Sequence, residues 1–268
     1  MARIGHFASA RAQERFDIAY AAAMSGWPPH ETLDVATAFG STRVYRRDHD
    51  GGTPVVLLPG ASATSAMWAP VVPALPGPVY AIDILGDVGA STQTAPLPDM
   101  TTWLREVLSA LGLSKVVLVG ASYGGWVAAL HAAEHPDQVG KLVLVEPAAG
   151  ALAPYRFLAV FFALLAKAGR SENAWRRYFR WLAGGAEPSD AMTIGITHWR
   201  TGVRLPRRIS DDVLRRVTAP TLVLVGEDSR AQDPHRVVER ARRLMPDVTA
   251  QVVPGGHALV TEVADRIV

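Results

Sequence analysis

Apolar residues along the chain fall into two alternating rhythms. Continuous apolar runs rich in β-branched residues occur at Pro54 to Leu58, Val79 to Ile84, Lys115 to Val119, Lys141 to Val145, Pro220 to Val225 and Val248 to Val253. Runs of this kind read as strands covered on both faces. Between them, helical stretches are predicted over Met100 to Leu111, Tyr123 to Glu134 and Asp233 to Met245, with a further short helix over Asp211 to Arg216. Strand–helix alternation points to an α/β fold built on a mostly parallel, doubly wound sheet. Upstream, Ala8 to Met24 predicts a helix stopped by Gly26 and the Pro28-Pro29 pair. Leu33 to Phe39 and Ser41 to Arg46 predict two short strands meeting at Gly40, an antiparallel edge to the sheet.

The rhythm breaks after Pro147. Helical stretches at Tyr155 to Ala168 and Glu172 to Leu182, a Gly184-Gly185 break and an apolar-aromatic stretch at Met192 to Trp199 follow with no strand evident. The expected organisation is a core made of residues 1–147 and 210–268, with residues 148–209 inserted as a helical cap. After His257 only a short terminal helix is expected.

Composition narrows the function classes. A chain of 268 residues that is 49% hydrophobic can bury a large core, and a net charge of +2 is too mild to suggest nucleic acid as a partner. Cysteine is absent, so disulfides and thiolate metal sites are excluded. Arg3, Arg11, Glu14, Arg15 and Asp17 interrupt the first twenty residues, which do not form a signal peptide. The longest apolar run, Phe157 to Ala166, is about ten residues and too short to span a bilayer. The expectation is a cytoplasmic protein with a small-molecule substrate, no membrane or nucleic-acid partner, and an oligomeric state left open.

The chemistry centres on Gly120-Ala121-Ser122-Tyr123-Gly124, set between the strand at Lys115 to Val119 and a helix. A serine between glycines on a sharp strand-to-helix turn is a nucleophile elbow, and the helix start behind it favours negative charge. A serine hydroxyl needs a base to take its proton. His257 is the candidate, since it follows a strand, lies after Gly255-Gly256 and comes later in the chain than the serine. The oxyanion donors are expected to be the amides of Tyr123 and Ala61, the latter in the Pro59-Gly60-Ala61 loop. The carboxylate that orients the histidine is expected in the loop Gly226-Glu227-Asp228-Ser229-Arg230-Ala231-Gln232-Asp233-Pro234. The scattered histidines show no metal-ligand spacing, and neither metal nor cofactor is expected.

These motifs, with Trp68 after the Pro59-Gly60-Ala61 loop, the Ala81-Ile82-Asp83-Ile84-Leu85-Gly86-Asp87 segment and the terminal Gly-Gly-His, resemble the α/β-hydrolase superfamily. Within it the chain is similar to bacterial carboxylesterases of the naproxen-esterase type, through Phe39-Gly40-Ser41 and the Gly-Glu-to-Asp-Pro segment at 226–234. The resemblance implies an α/β-hydrolase fold and a Ser-His-acid triad, with the acid three residues after Gly226, where this chain has Ser229. It also implies a histidine where Pro59 stands, a minor change because the donor is main chain. Asp228 is the first substitute for the acid, with Asp233 and Glu146 as alternatives. Asp233 also reads as the N-cap of the following helix.

The reaction these residues imply is cleavage of a carboxylic ester through a Ser122 acyl-enzyme. Intramolecular acyl transfer (lactonisation) on the same site is one alternative, and a non-catalytic binding protein with a degraded triad is another. Trp68, Trp126, Phe161, Trp181 and Trp199 are the expected substrate contacts. The arginines of the cap, among them Arg176 and Arg180, read as a solvated face or as an attractor for a carboxylate-bearing substrate.

Overall fold

A computed structural model describes residues 3–148, 150–169 and 171–260. In chain order the elements are β1 (His6–Phe7), α1 (Ala10–Met24), β2 (Glu31–Thr37), β3 (Gly40–Arg47), β4 (Val55–Leu58), β5 (Val79–Ile82), β6 (Thr92–Gln93), α2 (Met100–Ala110), β7 (Val116–Ala121), α3 (Tyr123–Glu134) and β8 (Val139–Val145). Then come α4 (Phe157–Gly169), α5 (Glu172–Leu182), α6 (Asp190–His198), β9 (Trp199–Arg200), α7 (Asp211–Arg215), β10 (Thr221–Gly226), α8 (Pro234–Leu244) and β11 (Val248–Val253). The helix expected after His257 falls mainly on residues 261–268, outside the described residues.

The main sheet has the order β11-β10-β8-β7-β4-β5-β3-β2, with β6 paired to β3. Strands β5, β4, β7, β8, β10 and β11 are mutually parallel. The antiparallel edge predicted from Gly40 is the β2–β3 hairpin, and β3 also runs antiparallel to β5. The four residues of β4 are all buried, as a strand covered on both faces must be. One apolar layer lies against α2, α3, α7 and α8, the other against α1. Chain order reverses at β4, which has β5 on one side and β7 on the other. In doubly wound sheets the crevice at the carboxyl ends beside such a reversal is where ligands bind.

Between β8 and β10 the chain forms α4, α5 and α6, and also the two-residue strand β9, which the sequence did not disclose. Two residues carry no readable period, and β9 exists because β1 pairs with it. The N-terminus is thereby tied to this helical segment. Helix α1 packs on α6, and Phe7 touches both Phe16 and Trp199. Arg15 forms a two-pronged pair with Glu172 at 2.7 and 2.8 Å, and His198 Nε2 meets the same carboxylate at 2.9 Å. The Arg15 guanidinium is the main cause holding the Glu172 carboxyl below its ordinary range.

Candidate active site

Ser122, Glu146 and His257 each follow the carboxyl end of a sheet strand, β7, β8 and β11. Ser122 follows β7 with φ +46° and ψ −112°, a left-handed conformation that is costly for a residue with a Cβ. The surrounding backbone enforces it. Ser122 N–H donates to the Val145 carbonyl at 3.0 Å, and Gly124 N–H donates to the Pro59 carbonyl at 3.0 Å. A Cβ at Gly124 would lie 2.2 Å from the Leu58 carbonyl oxygen, so only glycine lets α3 start this close to β4.

In the loop after β4 the amides on either side of Ala61 are spent. Gly60 N–H points at the Met67 sulfur at 3.4 Å, Ser62 N–H donates to Asp87 Oδ2 at 2.8 Å, and Ala63 N–H donates to the Gly60 carbonyl at 3.1 Å. The amide of Ala61 has no acceptor among the described residues, and neither has that of Tyr123 at the start of α3. Two buried carboxylates hold this loop from behind. Asp83 accepts from Tyr20 Oη, Ser65 N and Oγ, and Ala90 N at 2.7–2.9 Å. Asp87 accepts from Ser62 and Val88 amides, yet burial pushes its carboxyl up to about 6, with the nearby Asp83 charge adding to the shift. Burial also raises the Tyr123 phenol, whose hydroxyl has no partner among the described residues.

His257 Nδ1 lies 2.8 Å from Oε2 of Glu146. The favoured sequence candidate, Asp228, is exposed and does not reach the ring; its amide is bonded to the Gly255 carbonyl. Asp233 caps α8, accepting from the His235 and Arg236 amides at 3.0 and 3.2 Å. Glu146, the third alternative, immediately follows β8, the strand between β7 and β10, and its φ of +45° turns it away from the strand path. It is 1% exposed. Burying an ionised carboxylate is costly unless donors surround it. Besides the histidine, Glu146 accepts from Gly226 N–H at 2.6 Å and from Ser229 Oγ at 2.9 Å. Ser229 thus occupies the expected acid position and serves a carboxylate delivered from the neighbouring strand. Neither Gly226 nor Ser229 was identified as a partner from sequence, because their role depends on strand adjacency.

Ser122, His257 and the Ala61 loop open on a cavity of about 530 Å³. Alanine is its commonest lining residue, contributed by several elements, and Trp175, Tyr178, Phe179 and Leu182 lie along one face of α5. That i, i+3, i+4, i+7 stripe was the readable sequence signal for the aromatic wall. Burial pushes the Tyr178 phenol up to about 12, with Tyr155 adding to the shift. Ala23 of α1 also lines the cavity, a contribution from outside residues 148–209.

None of the five expected substrate contacts lines the cavity. Trp68 is fully buried in the core beneath the sheet, on the α1 side. Trp126 lies one turn along α3 from the serine and donates its Nε1 to the Arg207 carbonyl at 2.9 Å. Phe161 stacks on Phe157 on the outer side of α4. Trp181 falls off the α5 stripe and is held between Phe162 and the Arg230 guanidinium. Trp199 packs on Phe7 and donates to the Gly86 carbonyl at 3.3 Å. For Trp126, Phe161 and Trp181, helical phase decides which face each one occupies. Two arginines of α5 are committed to ion pairs, Arg176 with Asp190 at 2.5 Å and Arg180 with Glu187 at 2.8 Å. Among the described residues no cluster of three or more His, Asp or Glu could hold a metal ion.

Residues 55–268 match the model of the family described as Alpha/beta hydrolase family. The chain belongs to that family. It is 27% identical to carboxylesterase YbfK of Bacillus subtilis (strain 168) over 275 residues, covering 96% of this chain and 92% of that one. The crystal structure of carboxylesterase CesB (YbfK) from Bacillus subtilis superposes with a TM-score of 0.86 at 25% identity, over 96% of this chain and 95% of that one. That of naproxen esterase (carboxylesterase NP) from Bacillus subtilis gives 0.85 at 26% identity, over 97% and 98%. This α/β hydrolase is therefore a carboxylesterase-like enzyme.

Proposed function

We propose that this α/β hydrolase cleaves carboxylic esters of a bulky, apolar acid or alcohol through an acyl-enzyme on Ser122. The carrying observation is the 2.8 Å contact between His257 Nδ1 and the buried Glu146, with ring and serine facing one cavity. Glu146 fixes the tautomer that places the proton on Nδ1 and leaves Nε2 as the base. His257 takes the Ser122 proton as Oγ attacks the ester carbonyl. The amides of Ala61 and Tyr123 receive the oxyanion, and stronger hydrogen bonding to this charge than to the neutral carbonyl lowers the barrier. The imidazolium then gives its proton to the leaving alcohol. Water, deprotonated by the same ring, releases the acid and restores Ser122.

The apolar cavity suits an aryl or branched acyl group. The core-and-cap division at residues 148 and 209 belongs to the same reading, amended by the share that α1 takes in the cavity wall. The reading of a non-catalytic binder rested on the missing carboxylate at position 229, and Glu146 supplies a carboxylate from elsewhere. Intact mass after treatment with a fluorophosphonate tests the mechanism. A single adduct is expected on the wild type and none on Ser122→Ala; labelling that persists in the variant refutes the assignment of the nucleophile.

A further inference from the structure

Helix α4 is built with its hydrophobicity reversed. Its inner face is small: Ala159 and Ala166 are buried, and Ala159 and Ala163 line the cavity that Ser122 also lines. Its outer face carries Phe157, Leu158, Phe161, Leu164 and Leu165, spaced i, i+1, i+4, i+7, i+8, which is one stripe of a helix. All five are exposed, Phe157 at 78% and Leu164 at 60%. Stacking of Phe157 on Phe161 leaves the stripe open. Single exposed apolar residues are ordinary on a protein surface, but a contiguous stripe two turns long marks an interaction site.

The charges beside the stripe select the partner. From Pro147 to Ser171 the chain holds Arg156, Lys167 and Arg170 and no carboxylate. Arg156 precedes the stripe, Lys167 follows it, and neither forms an ion pair among the described residues. A second copy docked by two-fold symmetry with antiparallel α4 helices would set Arg156 against the partner's Lys167, like charge on like. An anionic lipid surface instead complements both ends while taking up the bulky residues between them. A helix of thirteen residues cannot cross a bilayer, but it can lie in the interface with its apolar face down.

We propose that the outer face of α4 is a lipid-interface binding surface that seats the protein on anionic membranes. This departs from the expectation of no membrane partner, although no helix among the described residues is long and apolar enough to span. Binding to lipid stands without the esterase reading; delivery of an ester from the interface to Ser122 rests on it.

Flotation of the full chain with vesicles of phosphatidylcholine alone and of phosphatidylcholine with one quarter phosphatidylglycerol tests the surface. The wild type is expected to float with the anionic vesicles, more weakly with the neutral ones, and less as salt is raised. Leu164→Gln/Leu165→Gln is expected to reduce flotation about tenfold while turnover of a water-soluble short-chain p-nitrophenyl ester stays within about twofold of wild type. Two outcomes overturn the proposal. One is no flotation with either vesicle. The other is a wild type that is dimeric by light scattering and made monomeric by the same double substitution, which would mean a second copy covers α4. Flotation of a protein that hydrolyses no soluble ester would defeat the esterase reading and leave the surface standing.

Discussion

Glu146 holds a left-handed backbone and a fully buried carboxylate at once, and three donors converge on it. Such a residue is costly to build, and its environment accounts for its persistence. Glu146→Gln keeps the volume but presents an amide to His257 Nδ1 and to Ser229, so the ring loses both its orientation and its counter-charge. Turnover is expected to fall by about 10³–10⁴-fold, the loss typical of spoiling the third member of a triad. Asp228→Asn, an exposed change with no bond to the ring, should stay within about twofold. Steady-state kinetics on both variants with one ester decide the matter; the reverse order of effects would return Asp228 to the role.

Among the elements, α1 and α5 both line the cavity, one contributing Ala23 and the other Trp175 and Phe179. Helix α1 is anchored by Phe16, which is fully buried, and by the Arg15–Glu172 pair, which is half-exposed and worth little by itself. The position of Ala23 is therefore set by core packing and stays fixed when surface charges change. Ala23→Leu adds bulk to one wall while leaving the nucleophile untouched. For a bulky aryl ester kcat/KM is expected to drop about 10-fold or more, and for an acetyl ester to change by less than about twofold, since pocket methylenes discriminate by such factors. An equal loss on both esters would show that α1 acts on the catalytic residues and not on the size of the pocket.

Over the whole molecule two buried groups make opposite contributions to stability as pH changes. Burial raises Asp87 from 3.8 to about 6 and lowers His131 from 6.5 to about 4. As pH rises from about 4 to 6 the unfolded chain releases the Asp87 proton before the folded one does, so this group costs stability with rising pH. His131 is neutral when folded in the same interval while the unfolded chain takes up a proton, so its contribution is lost as pH falls from about 6.5 to 4. Each effect is on the order of 3 kcal/mol, and the two nearly cancel. Thermal unfolding of the wild type should vary little from these groups over that range. Asp87→Asn should become more stable with rising pH and His131→Leu less stable. Parallel pH profiles for the two variants would contradict this account.

What the sequence determined by itself was set by short-range chemistry. Continuous β-branched runs fixed the strands of a doubly wound sheet, and α3, α5 and β11 were predicted to the residue at both ends. Gly-x-Ser-x-Gly after a buried strand marked Ser122, and a histidine after the last strand marked His257, because a tight turn and a strand-end loop are local demands. Tertiary structure decided the rest. Which carboxylate meets His257 depends on β8 lying between β7 and β10, an adjacency made by hydrogen bonds between residues some eighty positions apart, as in the Gly226–Glu146 contact. The aromatics that face the cavity depend on helical phase against a particular neighbour, and β9 exists only because β1 pairs with it. Local period is written in adjacent residues; which distant residues meet is settled by the packing of the whole chain.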